Sequence, residues 1–201
     1  MMDDLSTRTT GTTSSTGASA GLDVRDDART TAGTTPAVTM LRRDGRGVVR
    51  VEDTFATDVD DLWSAIADVD RLRRWLVDVE GDLRLGGAVS VRFTSGWEGT
   101  GVVQECDPPH RLRVAMAEAD ESVDGAAGTE IVAVVRAVPG GAHLTIEDRG
   151  LPLDEIHFHG AGWRVHVEDL GVHLAGRTPE EWRPRWTALV PDFETVEVGD
   201  A

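Results

Sequence analysis

Two amphipathic segments bracket the apolar part of this chain and set what it can build. Residues 49–76, VRVEDTFATDVDDLWSAIADVDRLRRWL, read as a strand running at once into a short helix. Residues 160–176, GAGWRVHVEDLGVHLAG, read as a long helix. Between them apolar residues alternate as in half-buried strands. Strand, helix, antiparallel meander and closing helix predict an α+β fold. In it a curved antiparallel sheet wraps around a long C-terminal helix, and two short helices follow the first strand. Such a sheet tends to enclose apolar space.

The elements follow from local pattern. Val49, Val51 and Phe55 alternate with Arg50, Glu52 and Thr54 in a first strand over residues 48–56. Thr57 is the expected helix cap, with Asp60 completing a capping box. Val59, Leu62, Trp63 and Ile66 then share one helical face, and residues 68–76 form a second short turn. Strands are expected over 88–94, 97–105, 111–119, 129–138 and 142–149. The second-last is apolar on both faces and so central and covered. A polar loop is expected over 118–128. The closing helix runs from His157 or Gly160 to Ala175, with Trp163, Val167, Leu170 and Leu174 in one stripe. A further amphipathic segment, PEEWRPRWTALV, starts at Pro179 and should kink or break at Pro184. Residues 194–201 read as a frayed end.

Composition then bounds the partners. Residues 1–46 are rich in Thr, Ser, Ala, Gly and Asp and carry six acids against six arginines. Too little apolar surface is present there to offset ordering entropy, so a disordered tail is expected. Met40 offers an alternative translation start. The net charge of −16 therefore resides in residues 47–201. That charge repels phosphate backbones and anionic membranes, which argues against nucleic-acid and membrane binding. Arginine is the only strong base, in keeping with a GC-rich coding sequence. The single cysteine, Cys106, excludes an intramolecular disulfide and reads as a structural thiol. No apolar run approaches a membrane span, no secretory apolar core stands at the N-terminus, and the cytoplasm is the expected location. The expected organisation is a tail over 1–46, one domain over 47–176 and an extension over 177–201.

Four blocks in this order carry a family resemblance: LWSAIADVDRLRRWL (residues 62–76), VEGDLRLGG (79–87), GVVQECDPPHRL (101–112) and GWRVHVEDLGVHLAG (162–176). Their order and spacing resemble the START-like (SRPBCC, helix-grip) superfamily and, within it, the heat-shock-protein-90 ATPase activator-homologue group. The resemblance implies a helix-grip fold. The wider superfamily includes lipid carriers, hormone receptors and aromatic polyketide cyclases, so fold alone does not assign an activity.

Candidate site residues come from the faces that would enclose the cavity. Its expected lining is Trp75, Val91, Phe93, Trp97, Met116, Ile146, Asp148, His159, Trp163, His166, Val167 and Leu170. His159, His166 and His173 are spaced by seven on the rim of the closing helix. Seven residues rise ~10.5 Å, too far for two ligands to share one ion. They read as histidines bridging core and solvent, with a polar cluster at a cavity mouth as the sharper alternative. The tryptophans read as core packing or as the wall of a pocket for an aromatic guest. Asp148 follows Leu144 and Ile146 on an inward face and reads as a solvated strand end or a pocket carboxylate. Arg92 should point outward. No phosphate loop, nucleophile elbow or zinc-protease motif is found, and no cofactor or metal is called for.

The function expected is binding of a small apolar or aromatic molecule, without assigned catalysis. One alternative is a cyclase or dehydratase, which an inward Arg or His with a perturbed pKa would favour. The other is a co-chaperone-like interaction module. There Phe158, Val165 and Val172 on the outer face of the last helix would meet a protein partner or a second copy, unless residues 180–190 cover them.

Overall fold

A computed structural model of the chain describes residues 35–118 and 128–201. Residues 1–34 of the tail expected over 1–46, and residues 119–127 of the polar loop, lie outside the described residues.

The described strands form one nine-stranded sheet in the order β3-β4-β5-β6-β7-β8-β2-β1-β9. It begins earlier than expected, with β1 (Ala37–Arg43) pairing antiparallel with β2 (Arg46–Phe55). Asp44 and Gly45 make the two-residue turn, both at positive φ (51° and 77°). This is the geometry that Asp-Gly favours in a hairpin. The folded region therefore starts ahead of residue 47, and Met40 is a core residue, 1% exposed.

After β2, α1 (Val59–Ala67) buries Leu62, Ala65 and Ile66. Its cap is Asp58, not Thr57: the Asp58 carboxylate accepts from Asp61 N, while Thr57 Oγ1 donates to the Asp61 carboxylate. α2 (Val69–Leu72) follows under a second aspartate cap, Asp68. The turn after it drops Trp75 and Leu76 into the core.

β3 (Val77–Gly81), which sequence pattern did not single out, forms the edge beside β4 (Ala88–Phe93). β5 (Glu98–Asp107), β6 (Arg111–Glu118), β7 (Thr129–Val138) and β8 (Gly141–Leu151) complete the meander. β8 pairs with β2, so the first and last long strands lie side by side.

The closing helix, α3 (Ile156–Leu174), packs on β2 and β1 and buries Trp163, Val167 and Leu170. The fold is thus the expected helix grip.

The C-terminal residues differ most from expectation. α4 (Trp182–Glu194) runs unbroken past Pro184, which sits in its first turn, where a missing N–H breaks no intrahelical bond. α4 packs on α3 and buries Trp182 and Phe193. The close approach is made at Gly160, where a Cβ would come within 2.8 Å of the Phe193 ring. The acidic end is not frayed: β9 (Gly199–Asp200) pairs parallel with Leu41 and Arg42 of β1.

Candidate functional site: a cleft between the sheet and the last two helices

β4, β6 and β8, α3 and α4 together wall a cleft of about 750 Å³. One end is polar. The register of β8 puts Leu144, Ile146 and Asp148 on one face, and Asp148 is 6% exposed, not a solvated strand end. Its Oδ2 accepts a hydrogen bond from Trp163 Nε1 at 2.9 Å and lies 3.3 Å from His159 Nδ1. His159 and Trp163 are one helical turn apart on α3, so both reach the same carboxylate. Burial pulls the His159 imidazole down, but the bond and charge of Asp148, with Glu155, outweigh it and hold His159 above its ordinary value.

The other end is aromatic. Trp97 meets Phe93 edge-on at 5.6 Å between ring centroids, and Phe93 is 6.1 Å from the His166 ring. His166 stacks on Trp182 at 5.3 Å, and Trp182 stacks on Trp186 at 5.5 Å. Trp186 in turn lies 5.8 Å from Phe158. A continuous run of rings thus passes from the sheet, across α3, to α4.

Polar contacts fasten α4 in place. Arg183 lies over both Trp182 and Trp186 and donates to Ser95 O at 2.9 Å. Trp186 Nε1 donates to Phe158 O at 3.0 Å. Arg185 pairs with Asp169 and, at 3.0 Å, with Glu168. Burial pushes Asp169 up to about 6 against the pull of Arg185. The Trp182 indole N–H is buried without a partner among the described residues.

His166 sits inside this assembly, 5% exposed, with Nδ1 3.4 Å from Thr94 Oγ1. Burial, with the Arg185 charge, pushes it down to about 3, so it is a neutral ring. His173 is elsewhere: Arg71 Nε donates to its Nε2 at 3.3 Å, and burial with the Arg71 and Arg74 charges lowers it. The seven-residue spacing therefore yields three separate environments. Cys106 is half-buried and its thiol is pushed up by burial and by Asp107 and Asp82.

Seven of the residues expected to line the cavity meet at this cleft: Phe93, Trp97, Met116, Asp148, His159, Trp163 and His166. Five do not. Trp75, Ile146, Val167 and Leu170 are core residues, with Trp75 Nε1 bonded to Ala65 O at 3.0 Å, and Val91 packs at the core's edge. The centre of the α3 stripe faces the sheet directly and is filled, so the open space lies beside it on the histidine rim. Sequence reasoning missed Ser95, Glu155, Trp182, Arg183 and Trp186 as lining residues. The available signal was the pair Trp182 and Trp186, one turn apart in an amphipathic segment.

The outer stripe of α3 is covered only in part. Val165 is fully buried, whereas Phe158 packs on Trp186 yet stays 41% exposed and Val172 is half-buried. On the opposite side of the sheet, Arg92 and Glu98 pair at 2.6 Å in solvent, as the outward reading of Arg92 requires.

A family sequence profile matches residues 56–175, described as Activator of Hsp90 ATPase homolog 1-like protein. The chain belongs to that family. Its fold is the START-like one expected from the four blocks, and solved structures agree. The crystal structure of CalU16 from Micromonospora echinospora aligns with a TM-score of 0.62 at 21% identity, covering 79% of this chain and 94% of CalU16. DynU16, a protein of the dynemicin biosynthetic locus, aligns with a TM-score of 0.59 at 23% identity, covering 66% of this chain and 48% of DynU16. The protein encoded by gene BPP1335 of Bordetella parapertussis gives 0.61 at 19% identity, covering 82% of this chain and 93% of that one. At these identities the likeness is one of fold. No curated protein matches the sequence significantly. No helix among the described residues is long and apolar enough to cross a membrane.

Proposed function

We propose that this START-like protein binds a small hydrophobic or aromatic molecule in the cleft between β4, β6, β8, α3 and α4. The observation that carries the reading is the run of rings Trp97, Phe93, His166, Trp182, Trp186 and Phe158 along one cleft that also holds a buried carboxylate. Flat apolar walls with a few fixed polar groups suit a planar guest oriented by one polar end. Asp148, His159 and Trp163 are those polar groups. The cleft's volume falls within the range of small-molecule sites, roughly 300–1,000 Å³.

The test is native mass spectrometry of the full chain, gently purified from its host, together with tryptophan fluorescence in the presence of a naphthalene-class probe. A retained mass released by denaturation, or saturable quenching lost on truncating Trp186, supports the reading. A bare chain whose fluorescence no aromatic probe changes overturns it.

A further inference from the structure

The contacts of His159 point beyond binding. Asp148 Oδ2 already accepts the Trp163 N–H, so it is an acceptor toward His159 as well, and the hydrogen between them belongs to His159 Nδ1. In the neutral ring the lone pair is then on Nε2. Among the described residues no hydrogen bond engages Nε2, and the His159 side chain, 37% exposed, lines the cleft. Asp148, 8% exposed at its side chain, is held by the Trp163 indole and cannot turn away without leaving that N–H unpaired. A base held at one nitrogen by a fixed carboxylate, with the other nitrogen open to an aromatic-walled cleft, is the arrangement of an oriented general base.

We infer that His159 is a catalytic base, positioned by Asp148, for proton abstraction from an activated C–H of an aromatic guest in this cleft; the inference rests on the binding reading above. The C–H pair moves into the guest's electron-withdrawing system, Nε2 takes the proton, and the imidazolium returns it to the guest or to water. No oxidant, reductant or metal is needed. The charged or titratable groups that share the cleft are Arg46 from β2, Glu118 from β6, Asp148 from β8, Glu155 and His166 from α3 and its approach, and Arg183 from α4. Of these, Asp148 and Glu155 hold His159 above its ordinary value against the pull of burial, which strengthens it as a base.

The probe is 5-nitrobenzisoxazole, a planar aromatic whose single ring C–H is acidic. Base removes that proton, its pair forms the third C–N bond, and the N–O bond breaks onto oxygen to leave a coloured cyanophenolate. For the full-length protein the expected kcat/KM exceeds that of His159→Gln by at least about tenfold, general base catalysis contributing ~10²-fold or more when well placed. Asp148→Asn keeps an acceptor oxygen for Trp163 but removes the charge, so the acidic limb of the pH–rate profile, where His159 loses its proton, moves to lower pH. Nitrogen-15 NMR of the imidazoles, which needs no substrate, should show the Nδ1–H tautomer for neutral His159. An Nε2–H tautomer, or a rate that His159→Gln leaves unchanged, overturns the inference. Saturable quenching of the tryptophans by the probe without a His159-dependent rate overturns the base and leaves the binding reading standing. Absence of both quenching and rate overturns both.

Discussion

His159 and His166 lie seven residues apart on one helix, yet their protonation is driven in opposite directions. His159 reaches a carboxylate and is held above its ordinary value, while His166 meets aromatic rings and an arginine field and is pushed to about 3. The difference lies in what the second layer offers. β8 supplies Asp148 at one end, whereas α4 supplies Trp182 and Arg185 at the other. Solvent exposure alone does not explain the split, because the burial of each ring favours its neutral form. A neutral buried ring belongs to a wall, and a half-exposed ring held by a carboxylate belongs to a mouth.

The sharpest way to break this contrast is to remove α4. Deleting residues 177–201 strips Trp182 and Phe193 from the core and uncovers the glycine face of α3. Burying two large aromatics contributes roughly 3–6 kcal/mol, so the truncated protein should lose most of its stability in urea unfolding. An unchanged midpoint would mean that α4 is dispensable and that His166 does not depend on it. Trp182→Ala is the milder version and should cost about 3–5 kcal/mol.

The pH response of stability tests the His166 half. A histidine held neutral by the fold takes a proton only on unfolding. Its contribution is complete above about 6.5 and is lost as pH falls toward 3. Asp169 runs the other way, because a carboxyl raised to about 6 gains its proton in the folded chain first. Comparison with His166→Asn cancels that opposing term. The stability advantage of the wild type over the variant should shrink by about 2 kcal/mol between pH 7 and pH 5. A constant difference would place His166 in contact with water.

The His159 half has the opposite sign. Its protonated form is favoured by folding, so that contribution is present below the unfolded value and fades as pH rises through the folded one. In Asp148→Asn an NMR titration should find His159 shifted down, while His166 stays neutral throughout the range. Asp148→Leu should in addition cost about 1–3 kcal/mol, because it leaves the buried Trp163 N–H without an acceptor. The smallest effect is expected at Arg92, whose ion pair with Glu98 is solvent-exposed. Arg92→Ala should change stability by less than about 1 kcal/mol, a control for charge change away from the cleft.

Much of this fold was legible because its strands alternate cleanly and α1 and α3 carry continuous apolar faces. β1 was hidden by its setting: it follows a Thr- and Ser-rich stretch, and only Val38 and Met40 mark its inward face. The Asp44-Gly45 turn was the overlooked signal. β9 is two residues long and exists only because β1 offers an edge, so no local pattern announces it. At the site, periodicity located Asp148 on an inward face, but its burial depends on α3 bringing Trp163 over it. Trp75, Val167 and Leu170 failed as lining residues for the converse reason: pattern finds a buried face but not which part of that face is filled. Residues 180–190 were weighed as a cover for the outer face of α3, but their share in the cleft wall was missed because a proline-containing segment at the chain's end read as an appendage. Pro184 in fact falls where a helix tolerates it.

The parallel pairing of Gly199 and Asp200 with Leu41 and Arg42 has a practical corollary for assembly. Strand β1 would otherwise present a bare row of amide and carbonyl groups, the kind of border along which copies of a protein polymerise. Two residues and their flanking acids act there as a guard rail, and the negative charge of Glu197 and Asp200 adds repulsion between approaching copies. An affinity tag spliced directly after Ala201 would tug on that rail, whereas one placed ahead of residue 35 would leave it undisturbed.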